Sequence, residues 1–270
     1  MKGSSILNSY SVIPISCESL ILSERHLKFQ NSVSHEIIGT DYTKLYWVYT
    51  TERFFYLDDF VRMYNLSDVF HLENDVMLYV DLSELLPVFR KHYNGMIGAT
   101  FETDSRCVAG FLYIANSVPL GHLINSFPDY VNSEMNDMLT IAQFKNNYLK
   151  VFIDYLPVLT SEYIEDHKLE LSQKSNEFLF YSNYIDDFAS VFDAAAFGIY
   201  LGGWDPYWHA ASEPGVISAF CIYNPSHFTI DWKIDLEGRR VPFISYNGKQ
   251  MRINNLHINN KKRLPFFYSL

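Results

Sequence analysis

Val69-Phe70-His71-Leu72-Glu73-Asn74-Asp75-Val76-Met77-Leu78-Tyr79-Val80 places two carboxylates, one residue apart, between two apolar runs. Residues 69–72 and 76–80 each have the length and the β-branched or aromatic content of a buried strand. The Glu73-Asn74-Asp75 break therefore predicts a strand end, where two acidic side chains can point together into a cleft. A hard divalent cation needs such oxygens; Mg²⁺ takes only one or two from protein and completes its shell with water and substrate phosphate. Read this way, the stretch points to chemistry on a phosphate-bearing substrate. A solvated acidic turn is the plain alternative.

Working outward, residues 44–51 (KLYWVYTT) read as another buried strand, and 52–65 as a helix with Phe55, Phe60, Met63 and Tyr64 at its apolar positions. Residues 81–93 read as a helix, then 96–101 and 107–115 as strands. Strands alternating with helices favour an α/β sheet with parallel pairs, flanked by helices. In such sheets ligands bind beyond the carboxyl ends of the strands, which would put Glu73 and Asp75 on the functional edge. In the second half, 132–148 and 190–201 read as helices, the latter stopped by Gly202-Gly203. Residues 216–223, 228–234, 241–244 and 250–258 read as strands. No repeat, low-complexity tract or Pro/Gly/Ser linker divides the chain, so one domain over 1–270 is expected.

A chain of 270 residues can bury a sizeable core. Its net charge of −10 argues against a broad nucleic-acid footprint. An anionic small ligand would then need a local device, either a metal ion or a small basic cluster. The 20 Tyr, 21 Phe and 4 Trp are enough both to fill a core and to stack on flat ligands. No apolar run approaches a transmembrane span, and residues 1–8 lack the apolar stretch of a signal peptide. Cys17, Cys107 and Cys221 are odd in number, far apart and without metal-ligand spacing, which favours a reducing compartment. A soluble, cytoplasmic protein is the expectation. P-loop, GxGxxG, GxSxG, HExxH and paired CxxC motifs are all missing, which argues against the common NTPases, dinucleotide enzymes, serine hydrolases and zinc proteases.

Four further groups carry candidate chemistry. Ser190-Val191-Phe192-Asp193 has the pattern of a helix N-terminus, with Ser190 as N-cap and an acid three residues on. Asp193 is either a helix-stabilising acid or a general base whose pKa the dipole would depress; local pattern favours the first. The loop with Trp204, Asp205, Trp208 and His209 offers aromatic faces for the C–H faces of sugars, or a hydrophobic plug. Near the end, His257 has the chemistry of a metal ligand, and Lys261 that of a diphosphate contact. A structural histidine and a solvated basic tail are the competing readings. Asp137 lies in the first turns of a helix, placed either to stabilise it or to touch a substrate hydroxyl.

Taken in order, these segments resemble a GT-A glycosyltransferase, and most closely the short bacterial and large-DNA-virus enzymes with an H-x-E-x-D-V version of the DxD motif. The resemblance rests on Trp47 to Phe55, Phe70 to Val76, Gly110 to Asn116, Phe192 to Gly198 with Leu201-Gly202-Gly203, and Asn255 to Ile258, and it covers residues 45–262. It implies a Rossmann-type mixed sheet, with a donor-binding half over 1–116 and an acceptor-binding half over 117–270. Asp75 would bind Mn²⁺ or Mg²⁺ directly, with His257 as a second ligand. Glu73 would contact the metal or donor ribose beside Asn74, and Lys261 the diphosphate. Gly110 would lie on the strand under the donor sugar. Asp193 matches the acid of the xED motif, the base of inverting members, although Phe192 stands where that motif has Glu; Asp137 is the second choice. Trp204, Asp205, Trp208 and His209 would face the acceptor. Residues 1–44 do not match the strand and loop that hold the nucleobase. The implied activity moves a sugar from a nucleotide-diphosphate donor to a glycan hydroxyl. A metal-dependent phosphohydrolase or nucleotidyltransferase, or a non-catalytic carbohydrate-binding protein, would use the same residues.

Overall fold

The computed structural model describes residues 12–34, 42–128, 136–204, 213–263 and Phe267. Two helices, α1 (Glu24–Ser34) and α2 (Tyr42–Met63), lead into β1 (Val69–Leu72) and β2 (Val76–Leu78). Next come α3 (Leu82–His92), β3 (Ile97–Thr103), β4 (Arg106–Ile114), α4 (Ser117–Ser126), α5 (Asp137–Tyr148) and β5 (Ile153–Tyr155). The chain continues through α6 (Ser161–Asp166), α7 (Lys168–Lys174), α8 (Ile185–Phe188), β6 (Ser190–Val191) and α9 (Ala196–Gly202). It closes with β7 (Thr229–Ile234), β8 (Arg240–Tyr246), β9 (Lys249–Ile253) and β10 (Asn255–His257). The fold is mixed α/β. Among the described residues no helix is long and apolar enough to cross a membrane.

The first sheet has the order β1-β4-β3-β5, and the second β6-β9-β8-β7, while β2 and β10 form a pair of their own. Parallel pairing occurs at β3–β5 and β6–β9; the other described pairs are antiparallel. The expectation of parallel pairs is thus met only in part. Connectivity explains the difference, since only Asp104 and Ser105 separate β3 from β4, far too few for a crossover.

Along β4 the side chains alternate between two layers, as the pleat requires. Leu112 and Ile114 join the main apolar cluster, which also takes Phe54 and Val61 from α2 and Leu120 from α4. Phe111 and Tyr113 join a second, largely aromatic cluster with Phe89 of α3, Phe188 and Phe192. Most described aromatic rings therefore fill core rather than await ligands. The main cluster includes Phe29, Val191 and Phe267, so no separate core begins at residue 116.

Four sequence readings change. Residues 44–51 are the start of α2, not a strand. Val48, Thr51, Phe55 and Asp58 are buried at helical spacing, and polar residues on that stripe hide its period. Asp58 is paired with Arg62 at 2.6 Å and Asp59 with His26 at 2.6 Å, which makes their burial tolerable. The expected helix over 190–201 divides into β6, a buried turn and α9. Residues 216–223 form irregular backbone rather than a strand. Residues 250–258 form two strands in different sheets, hinged at Asn254, whose N–H bonds Val191 and whose carbonyl accepts from Tyr79. The readings of β1, β2, α3, β3, β4, β7 and β8 stand as elements, although β1 and β2 are half-buried or exposed rather than buried, and α5 covers the described part of the expected 132–148 helix.

Candidate metal and substrate site

The acidic turn joins β1 to β2 tightly. Glu73 N–H donates to the Gly110 carbonyl at 3.0 Å, and Val76 N–H to the Glu73 carbonyl at 3.1 Å. Pairing of β2 with β10 then sets His257 opposite Val76. The next residue, Ile258, donates its N–H to the Asp75 carbonyl at 2.8 Å. A residue 182 positions downstream is thereby fixed beside Asp75 by backbone bonds alone. Gly110 provides the space: a Cβ there would stand 2.9 Å from His257 Nδ1 and 3.1 Å from Val76 Cγ2.

Ligating atoms of Glu73, Asp75 and His257 all lie within 4.8 Å of one another. His257 Nε2 is 3.4 Å from Glu73 Oε2 and 3.3 Å from Asp75 Oδ1. The outer oxygens are held by cations, Glu73 Oε1 by Arg53 and Asp75 Oδ2 by Lys261. Burial pushes the Asp75 carboxyl up, but His257 and Lys261 outweigh it and hold the group well below the usual carboxylate range. Burial opposes protonation of His257, and the hydrogen bond and charge of Asp75 outweigh that and raise it. Neighbouring corners of an octahedron with bonds of about 2.0–2.1 Å stand about 3 Å apart, so small adjustments would seat an ion. Two carboxylate oxygens and an imidazole form a donor set suited to Mn²⁺, with Mg²⁺ favoured less by the nitrogen.

Arg53 links this wall to the next. Its guanidinium donates to Glu73 on one side and to Asp137 Oδ2, at 2.8 Å, on the other. Asp137 begins α5 behind the N-cap Asn136, whose side chain accepts from Leu139 N–H at 3.2 Å. Burial lifts the Asp137 carboxyl to about 6, against the opposing Arg53 charge. His71, two residues before Glu73 on β1, is lowered to about 4 by burial and by Arg53, which keeps its imidazole neutral.

These groups line a cavity of about 810 Å³. Tyr46, Trp47 and Thr50 of α2 line it, as do Glu102, Arg106, Ile199 and Trp204. Of the predicted site residues, Glu73, Asn74, Asp75, Asp137, Trp204, His257 and Lys261 all line it. Asp205, Trp208 and His209 lie outside the described residues. Gly110 is not on the cavity surface but behind His257, so its place is as a seat for the imidazole rather than a floor under a sugar.

Asp193 is set apart. It is 1% exposed and absent from the cavity wall. Its carboxylate accepts backbone N–H bonds from Phe197 at 2.9 Å, Gly198 at 2.9 Å and His257 at 3.0 Å. Burial still lifts its carboxyl to about 6. Ser190 is not the N-cap of the helix that follows; that cap is Ala195, at φ +67°. Asp193 thus ties the α9 N-terminus to β10 and supports the position of His257. The geometry gives it a structural place where the motif implied a base.

Sequence reading missed Arg53, His71, Glu102 and Arg106 as lining groups. Once 42–63 is seen as one helix, Tyr46, Thr50 and Arg53 fall on one face at i, i+4 and i+7, a signal the strand reading hid. Compared with known proteins, the chain matches no family model, no curated protein and no solved structure.

Proposed function

We propose that the protein is a metal-dependent glycosyltransferase that moves a sugar from a nucleotide-diphosphate donor to a hydroxyl of a glycan acceptor, on a GT-A-like sheet. The observation that carries this reading is the convergence of Glu73, Asp75 and His257 on one wall of a large cavity, with Lys261 and Arg53 beside them. The orphaned His257 Nδ1, buried against Gly110, leaves Nε2 as the nitrogen aimed at the carboxylates. Glu73, Asp75 and His257 would hold Mn²⁺ or Mg²⁺. When bound, the ion would supply positive charge to the departing diphosphate.

The chain's own residues do the rest. Lys261 lies where its ammonium can neutralise a phosphate oxygen once Asp75 turns to another partner. Arg53 orients Glu73 and Asp137 together and keeps the latter facing the cavity. Asp137, with a carboxyl near 6, is suited to accept the proton of the acceptor hydroxyl close to neutral pH. Asp193, its oxygens occupied by backbone N–H groups, holds the His257 segment in register. Tyr46 and Trp47, ring centroids 5.0 Å apart, offer an aromatic edge at one side of the cavity for a nucleobase or sugar.

Thermal-shift titration with a panel of nucleotide sugars, with and without Mn²⁺, tests the reading. A ligand that binds the folded state raises its apparent stability, so a metal-dependent shift is expected with at least one donor. Asp75→Ala should abolish it. Donor affinity by calorimetry that is the same with and without Mn²⁺ would sink the metal site.

A further inference from the structure

Glu102 and Arg106 sit at the ends of the β3–β4 hairpin, and both face the cavity. Glu102 is 3% exposed, and Ser218 Oγ donates to its Oε1 at 2.5 Å. The Glu102 carbonyl accepts from Ile222 N–H, so the irregular 216–223 segment is pinned across this carboxylate. Arg106 Nε lies 3.3 Å from Glu102 Oε2, but it is buried and makes no hydrogen bond among the described residues. Its guanidinium otherwise meets two poor acceptors, the Met138 sulfur at 3.7 Å and the face of Phe220 at 4.6 Å. A structural Arg–Glu pair closes with parallel N–H···O bonds. This one is offset and leaves the Arg106 Nε–H unsatisfied in a guanidinium that lines the cavity. Phe220 and Ile217 are nevertheless 56% and 45% exposed on the adjoining segment, and Trp204 packs nearby on Val108, Ala195 and Ile199.

We propose that Glu102 and Arg106 read a pair of adjacent hydroxyls on a neutral acceptor sugar, with Phe220 packing on the C–H face of its ring. Side by side, a carboxylate accepts and a guanidinium donates, which matches the donor and acceptor capacity of a vicinal diol. The ribose of a nucleotide also carries adjacent hydroxyls, so nucleotide affinity in the variants is what separates the two sugars. Phosphate is better met beside Lys261 and Arg53, because here the Glu102 carboxylate already offsets the Arg106 charge. The inference rests on the transferase reading and adds to it the feature of the glycan acceptor that is read, a pair of adjacent free hydroxyls.

Saturation-transfer NMR with the methyl glycosides of glucose, galactose and mannose, and their 2-deoxy analogues, tests it on the full chain with UDP or GDP and Mn²⁺ present. Metal-dependent nucleotide affinity is measured on the same samples by calorimetry. At least one glycoside should bind and its 2-deoxy or epimeric partner less well. Glu102→Gln and Arg106→Gln should weaken that binding by about ten-fold or more, as loss of a hydrogen bond to a charged group implies. Phe220→Ala, an exposed change that spares the fold, should weaken it too, while nucleotide affinity stays within two-fold in every variant. Glycosides bound equally by wild type and variants, or no glycoside bound at all, would overturn the subsite. Failure of both nucleotides to bind with Mn²⁺ would count against the transferase reading instead, and leave a variant-sensitive glycoside signal as support for the subsite.

Discussion

Asp137 and Asp193 are both buried, and burial lifts each carboxyl to about 6, yet the two regions around them use an acid in opposite ways. Around Asp193 the carboxylate oxygens are taken by three backbone N–H groups from α9 and β10. Around Asp137 the one side-chain partner is an arginine shared with Glu73; backbone N–H groups of its own first turn, its own and that of Met138, also reach the carboxylate, which lines the cavity. A raised pKa by itself therefore does not mark a reacting group. What distinguishes the two is whether the acid's hydrogen-bonding capacity is closed by the fold or open to a ligand.

The largest effect should come from Asp137. Asp137→Asn is expected to cut turnover by about 10²–10⁴-fold, the usual worth of a general base, with donor affinity and melting temperature kept. Steady-state transfer kinetics would decide it, and native turnover would remove Asp137 from the mechanism. Its pH profile sharpens the same point. A base lifted to about 6 is protonated below that, so the rate should fall as pH drops through about 6, and this limb should vanish in the variant.

Asp193→Ala should act on the fold. Three backbone N–H groups lose their acceptor, at about 1–3 kcal/mol each when left unpaired, so a loss of about 3 kcal/mol or more is expected by denaturant unfolding. Should stability change by less than about 1 kcal/mol while transfer collapses, the comparison would reverse. Gly110→Ala lies between the two regions. Its Cβ would crowd His257 Nδ1 at 2.9 Å, so Mn²⁺ affinity should fall by about 10–100-fold, as for loss of a supporting contact to a metal ligand. Calorimetry that finds native Mn²⁺ affinity would separate His257 from the ion.

The smallest effect is expected far from the cavity. His26 is fully buried between Asp59 and Glu52 and ties α1 to α2. Burial lowers its pKa, but hydrogen bonds to Glu52 and Asp59 outweigh that and raise it above the ordinary 6.5. A histidine raised in the folded state contributes stability that is full below about 6.5 and lost as pH climbs through the folded value. Melting temperature should therefore drop over that window in the wild type and change less in His26→Gln.

Much of the first sheet was legible because its signals are local. The apolar runs around Glu73-Asn74-Asp75, the Asp81-capped helix and the β3 and β4 runs each carry their period within a dozen residues. Residues 44–51 misled because aromatic and β-branched side chains favour strands in isolation. In the fold they form the first turns of a helix packed on more than one side. Residues 190–201 misled because a Ser with an acid three residues on imitates a capping box, whereas this acid caps through Phe197 and Gly198 further along.

From the sequence alone came the acidic pair at a strand end and, separately, a histidine with metal-ligand chemistry and a lysine with phosphate chemistry; only the family resemblance joined them. Those are statements about residue chemistry and short-range pattern, which a linear chain carries. Tertiary structure decided which atoms meet. The β2–β10 pairing brings His257 to Asp75, and a helix mistaken for a strand delivers Arg53 between Glu73 and Asp137. The N–H groups that close Asp193 come partly from β10, a segment distant in the chain. Long-range backbone pairing has no local signature, and so the division between an acid that holds the fold and one that faces the cavity became visible only there.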